Sequence, residues 1–207
     1  TQGLSAGEAA DKLPAVKDLK KSIRVPIAFE AEQTHVLMGQ VGIRHGDSDA
    51  FALDVGNEIL GGGGFTSRLM KKLRQEKGMT YGVYSDFTAM RERGPFTINF
   101  STRADQANEA IKLSQAILGD FVEKGPTDQE LGEAKAAIVG SFPLATASNA
   151  SISGYLGMIG FYGLPLDYLD QYLLHIQKVS KEDVKRAFQR HINPKKQLIV
   201  TVGKSLP

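Results

Sequence analysis

Cysteine is absent from all 207 residues, which excludes disulfides and thiolate metal sites and leaves cytoplasm and periplasm equally compatible. Long apolar runs are missing as well. No stretch has the length of a bilayer span, so no membrane-crossing helix is expected. Neither sign of charge is in excess: 25 Lys and Arg against 23 Asp and Glu leave a formal +2, with no global attraction to nucleic acid or to an anionic membrane. The four histidines, His35, His45, His175 and His191, form no H-x-x-E-H or H-E-x-x-H pair. The helical spacing that sets two imidazoles and a carboxylate around zinc is missing, and no metal is expected on this chain. The chain opens on Thr1 with neither Met nor a signal-like stretch, the expectation for a processed product or a piece of something longer.

A hydrophobic content of 42% is enough for a substantial core. Residues 61–85 organise the rest. The consecutive Gly61, Gly62, Gly63 and Gly64 lose too much backbone entropy for a helix or strand interior, and mark a bend or a close approach. Thr66 or Ser67 can cap a short helix with Leu69, Met70 and Leu73 as its apolar stripe. Arg68, Lys71, Lys72, Arg74 and Lys77 take its other faces, and Gly78 stops it. Tyr81 then opens a strand. Arg74 lies about one turn before the helix end, so its guanidinium and the Tyr81 phenol are expected near the same end of this helix–strand unit.

Residues 1–32, with Pro14 and Pro26, read as a linker carrying one short strand at 23–29, and residues 33–207 as the folded domain. A strand at 34–44 precedes a helix that starts at Asp47 or Ser48 and buries Phe51, Ala52, Val55, Ile59 and Leu60. Strands at 81–90 and 95–102 follow; in the second, Phe96, Ile98 and Phe100 alternate with Thr97, Asn99 and Ser101, the pattern of a sheet with one buried face. Tyr81 and Tyr84, three apart on a regular strand, are expected on opposite faces, one of them in the core. Ala107, Ile111, Ser114, Leu118 and Phe121 mark a long helix, and Thr127 with Glu130 a capping box for the next, which Pro143 is expected to end or kink. The small-residue stretch 145–163 has Tyr155, Leu156, Ile159 and Phe161 as apolar anchors. Helices at 168–177 and 180–191 and a strand at 197–203 complete an α+β fold of two layers, a mostly antiparallel sheet covered on one face by helices.

Other chemistries fit poorly. His45 with Asp47 and Asp49 reads as a polar turn leading into a helix cap, and His175 and His191 as helix-end residues favoured by the dipole. Phe65-Thr66 stands where a phosphate-binding loop would carry Gly-Lys. The basic helix has no interleaved aromatics, so a solvated face is expected rather than nucleic-acid binding.

The segments Ile59-Leu60-Gly61-Gly62-Gly63, Ser67-Arg68-Leu69, Leu73-Arg74, Lys77-Gly78-Met79 and Tyr81-Gly82-Val83-Tyr84-Ser85 together resemble one family. It is the pitrilysin, insulysin and mitochondrial-processing-peptidase family of zinc metallopeptidases, in its non-zinc, C-terminal-type domain. Residues 127–134, Gly163-Leu164-Pro165 with Tyr168, and Val179-Ser180 with Asp183-Val184 extend the likeness over residues 34–203. The resemblance implies two homologous α+β domains facing each other across a peptide chamber. One carries zinc on H-x-x-E-H and a distant Glu; the other supplies an Arg and, seven residues later, a Tyr, positions matched by Arg74 and Tyr81. By resemblance, the Tyr81 hydroxyl hydrogen-bonds the tetrahedral oxyanion, Arg74 holds substrate backbone or supports that charge, and Gly61 to Gly64 form a flexible loop near the chamber. The implied partners are a homologous zinc-carrying domain or subunit and an extended peptide able to add as a strand to a sheet edge. Zinc is expected on that partner, no hydrolysis is expected from this chain alone, and the implied compartment is periplasmic. The other reading is an inert interaction or scaffold domain of the same fold.

Overall fold

The computed structural model describes residues 3, 7–8 and 11–204. Its strands β1 (Ile23–Ala28), β2 (Gln33–Val41), β3 (Val83–Phe87), β4 (Pro95–Arg103) and β5 (Leu198–Gly203) form one sheet in the order β1-β5-β2-β4-β3. The β1–β5 pair is parallel; β5–β2, β2–β4 and β4–β3 are antiparallel. Side chains alternate across the sheet as the strand period of two requires. Val36 and Met38 on β2, Phe96, Ile98 and Phe100 on β4, Val83 on β3 and Ile199 on β5 are buried beneath helices. Their alternates, including His35, Leu37, Tyr84 and Asn99, are exposed on the open face.

Helices α1 (Ala50–Asn57), α2 (Ala107–Lys124) and α6 (Lys181–His191) cover the buried face. Phe188 of α6 is fully buried at their junction, edge-on to Phe121 at 4.8 Å and to Phe87 at 5.7 Å. Helices α3 (Asp128–Ala145), α4 (Asn149–Tyr162) and α5 (Tyr168–Lys178) lie outside this layer. The expected capping boxes are formed at Thr127 with Glu130 and at Ser180 with Asp183. Pro143 neither ends nor breaks α3, which runs on to Ala145. The helix stops two residues later. The stretch 145–163 is mostly helix α4, and among its expected anchors only Ile159 is buried; Leu156 and Phe161 are exposed.

The strand expected within the leading linker is present as β1, so the sheet begins before residue 33. Arg93, on the turn between β3 and β4, holds the preceding segment by donating to Asp18 Oδ1 and to Val16 O, both at 2.8 Å. Val16 and Leu19 thereby close an apolar cavity of about 410 Å³ over Leu37, Val41, Leu198 and Val200 on the open face.

One carboxyl sits under strain. Asp54 of α1 accepts from the Tyr172 hydroxyl at 3.4 Å, and burial, with Asp86 adding repulsion, pushes its pKa to about 6. A carboxyl that holds its proton more tightly when folded loses stability as pH rises from near 4 through 6. Asp54→Asn should therefore raise stability by about 2 kcal/mol at pH 7 and change little at pH 4, read by urea denaturation at both pH values.

Candidate functional site

Helix α1 does not stop at the glycine run. It widens into a π turn over Glu58–Gly62, so Gly61 and Gly62 are helical, contrary to the entropic expectation. The reason is a close approach to β3. A Cβ on Gly61 would lie 2.5 Å from Ser85 Oγ and 2.6 Å from Ser85 N. Asn57 locks the same contact, donating from Nδ2 to Ser85 O at 3.0 Å and accepting from Ser85 Oγ at 2.7 Å. Gly61→Ala should destabilise by about 1–2 kcal/mol, because the atoms in the way include backbone that cannot swing aside; a thermal melt reads it. Gly64 takes the left-handed φ of +55° that turns the chain into a single 3₁₀ turn, Gly64–Thr66.

Ser67, rather than Thr66, caps the basic helix: its hydroxyl accepts from Met70 N at 3.4 Å. The helix, Met70–Glu76, keeps π winding and buries Met70 and Leu73. Its charges are largely engaged. Arg68 donates to Glu130 from Nε at 2.7 Å and from Nη2 at 2.8 Å, reaches Asp120 at 3.4 Å and Gly125 O at 3.2 Å, and lies over the Phe121 ring. Lys72 pairs with Glu76 at 2.5 Å.

Arg74 and Tyr81 do come together. The contact differs from the expected one: Arg74 Nη1 donates to the main-chain oxygen of Tyr81 at 2.6 Å, while its guanidinium lies 4.5 Å over the Phe65 ring. Gln75 Nε2 fixes Phe65 by donating to its carbonyl at 3.0 Å. Tyr81 does not open the strand, which begins at Val83. It sits on a bend tied at both flanks, with Thr102 Oγ1 donating to Met79 O at 2.6 Å and Thr80 Oγ1 donating to Gly82 O at 2.8 Å. The bend resets the strand alternation. Tyr81, 82% exposed, and Tyr84, 48% exposed, therefore line one cavity rather than opposite faces, and neither is in the core. That cavity, about 580 Å³, lies on the open face of the sheet.

His35 and Ser101 share the cavity and pair through Nδ1 and Oγ at 2.8 Å. Sequence reading passed over them, since it treated His35 only as outside a zinc motif; their positions on β2 and β4 were the signal, as paired residues on the polar side of two alternating strands. Gly61 to Gly64 are not among the cavity's lining residues, and Gly61 is buried against Ser85.

The expected cluster of His45 with Asp47 and Asp49 is also rearranged. His191 takes that place, with Nε2 at 2.9 Å from Asp49 and 3.7 Å from Asp47, while His45 stacks on Tyr162 at 3.7 Å. These three are close enough to share an ion, but Arg190 already donates to Asp49 at 2.7 Å, so the group works as a clasp between the end of α6 and the start of α1.

An α+β sheet open on one face and roofed by helices on the other matches the fold of inactive domains of a metallopeptidase family. The chain belongs to the family described as the peptidase M16 inactive domain, whose profile matches residues 4–138. The crystal structure of a peptidase M16 inactive domain from Pseudomonas fluorescens is 44% identical, with a TM-score of 0.89, over 96% of this chain and 47% of that one. An uncharacterized zinc protease of Streptomyces coelicolor is 29% identical over 86% of this chain, and a non-peptidase homolog of Helicobacter pylori 36% identical over 63%. The chain spans only 38% and 30% of the length of these two relatives.

Proposed function

We propose that this inactive domain completes a zinc endopeptidase in trans, presenting Tyr81 to a scissile bond held against a homologous zinc-carrying domain. The observation that carries the reading is a phenol 82% exposed on a bend that three side chains immobilise by hydrogen bonds to its main-chain oxygens, beside a cavity. The Tyr81 hydroxyl donates to the oxyanion that develops on the substrate carbonyl. A preorganised donor of this kind contributes about 3 kcal/mol to the transition state. Arg74 acts through Tyr81: its bond to the main-chain oxygen, with the plane packed on Phe65, orients the bend. Zinc on the partner's H-x-x-E-H supplies the Lewis acid and the activated water.

An extended peptide is the substrate that suits the open face, where Leu37, Val200 and Val202 alternate with polar His35, Asn99 and Ser101 around the cavity. Strand addition is less suited. At the β3 edge Asn57 already donates to Ser85 O, and β1 carries Pro26, which has no N–H to offer. The test is reconstitution with a zinc-loaded H-x-x-E-H domain from the same source, following chelator-sensitive cleavage of an unstructured peptide by wild type and by Tyr81→Phe. Loss of cleavage with equal complex formation supports the reading, and an unchanged rate overturns it. The non-peptidase homolog of Helicobacter pylori favours a second reading, an inert binding domain, for which Tyr81→Phe leaves cleavage untouched.

A further inference from the structure

The open face of the sheet changes character along its strands. Around Tyr81 polar His35, Asn99 and Ser101 stand among apolar neighbours. Further along, the cavity of about 410 Å³ beside Arg93 is floored by Leu37, Val41, Leu198 and Val200. The floor is hollow for a local reason. Gly39 stands between Leu37 and Val41 on the same face of β2, and its register partner on β4 is Thr97, so two neighbouring positions carry no large side chain. A glycine inside a strand is a common mark of close approach by a ligand or another backbone. Leu37 and Val200, paired across β2 and β5, line both cavities, which makes the two continuous. An apolar hollow of this size with a fixed polar group at its rim has the make-up of a ligand site. Polypeptide already lies over it. Val16 and Leu19, in the irregular segment before β1, form its outer wall, and Arg93 holds that segment by the Val16 main-chain oxygen as well as by Asp18. A grip on a main-chain oxygen is open to any sequence, so the occupant this arrangement favours is extended polypeptide carrying an apolar side chain.

We infer that this hollow is a specificity subsite of the peptide face, taking a large apolar side chain about four residues from the bond presented to Tyr81; the inference rests on the function proposed above. The spacing comes from the strand itself. The two cavities follow one another along β2, so a peptide that occupies both runs along that strand. His35 in the first and Gly39 in the second are separated by about 13 Å at the rise of an extended chain, and the peptide has the same rise. The subsite sets register as well as affinity, since main-chain contacts hold every sequence alike and a side-chain pocket distinguishes one frame from the next. Moving a large apolar side chain from water into the hollow gains about 10–100-fold in binding.

The test uses the peptidase reconstituted with the zinc-loaded H-x-x-E-H domain and a set of unstructured Gly/Ser peptides, each with one cleavable bond and a single Leu walked outward from it in both directions. One position, about four residues from the bond, should raise kcat/KM by about 10–100-fold. The gain should appear in KM, because binding shared by ground and transition states leaves kcat alone. Thr97→Phe, which fills the hollow opposite Gly39, should flatten that preference to near unity. Val41→Thr, which keeps the side-chain shape while making the floor polar, should cut it severalfold. Tyr81→Phe should slow every peptide and keep the preference. A Tyr81-dependent enzyme with no positional preference, or with one that both hollow variants leave intact, overturns this inference alone. A preference that Thr97→Phe removes while Tyr81→Phe leaves the rate unchanged keeps the subsite and sinks the catalytic role of Tyr81. Should no cleavage be reconstituted, the proposed function falls, and fluorescence anisotropy of the same peptides on the chain alone decides the subsite. Affinity that rises about tenfold with the Leu and loses that gain in Thr97→Phe upholds it, and affinity indifferent to the Leu overturns it.

Discussion

Replacing Tyr81 with Phe is expected to lower kcat of the reconstituted peptidase by about 10²–10³-fold, with little change in KM and none in stability. The size follows from the role. A donor aimed at charge that exists only in the transition state affects the chemical step and not ground-state binding. Stability should hold because the phenol packs against nothing that folding needs; the ring is 82% exposed, and the bend is held by main-chain contacts that Phe preserves. Arg74→Ala should give a smaller loss, about tenfold, since it loosens the bend without removing the hydroxyl. In the double variant the losses should not add if, as proposed, Arg74 acts through Tyr81. Equal and additive losses would instead mean that the guanidinium contacts substrate on its own account. Steady-state kinetics of the four proteins at saturating zinc domain separate the two cases.

The sheet and its covering helices were legible because period-two and helical patterns report burial directly. Phe96, Ile98 and Phe100 point inward, and the capping boxes at Thr127 and Ser180 mark the true starts of α3 and α6. What was illegible depends on contacts between distant segments. Nothing local to Gly61 announces Ser85, yet that contact makes a glycine run helical. Nothing in a Tyr-x-x-Tyr spacing reveals that Thr80 and Thr102 hold a bend that puts both rings in one cavity. His191 reaches Asp49 across 142 residues, a partner that proximity in sequence could not suggest, and His45 stood closer in the chain but turned to Tyr162. Helix α4 departs from expectation for the opposite reason: its apolar residues read as anchors because apolar residues are usually buried. In this chain Leu156 and Phe161 are exposed and Ile159 alone is buried.

The basic helix shows the same lesson in energetic form, and Arg68→Ala should be the most damaging of the charge removals, at about 3 kcal/mol near neutral pH. Arg68 sits on a helix whose cations read as a solvated face, but its side chain is largely covered, and it joins the basic helix to α2 through Asp120 and Phe121 and to the start of α3 through Glu130 and Gly125 O. Glu130 is thereby used twice, as the Arg68 partner and as the N3 residue of the capping box, accepting from Thr127 N at 2.8 Å. The Arg68 hydrogen bonds come first among the causes that hold the Glu130 carboxyl down to about 2, against burial, which opposes them. A carboxylate with a depressed folded pKa stabilises the fold fully above its unfolded value near 4.5, and that stabilisation drains away as pH falls toward 2. Glu130 is partly exposed, so solvent screening reduces the linked contribution to about 2 kcal/mol. The gap between wild type and Arg68→Ala should accordingly be widest at pH 7, narrow below pH 4.5 and be smallest near pH 2. Urea denaturation across that range reads it directly. A gap independent of pH would assign the loss to the stacking of the Arg68 guanidinium on Phe121 instead of to the ion pair.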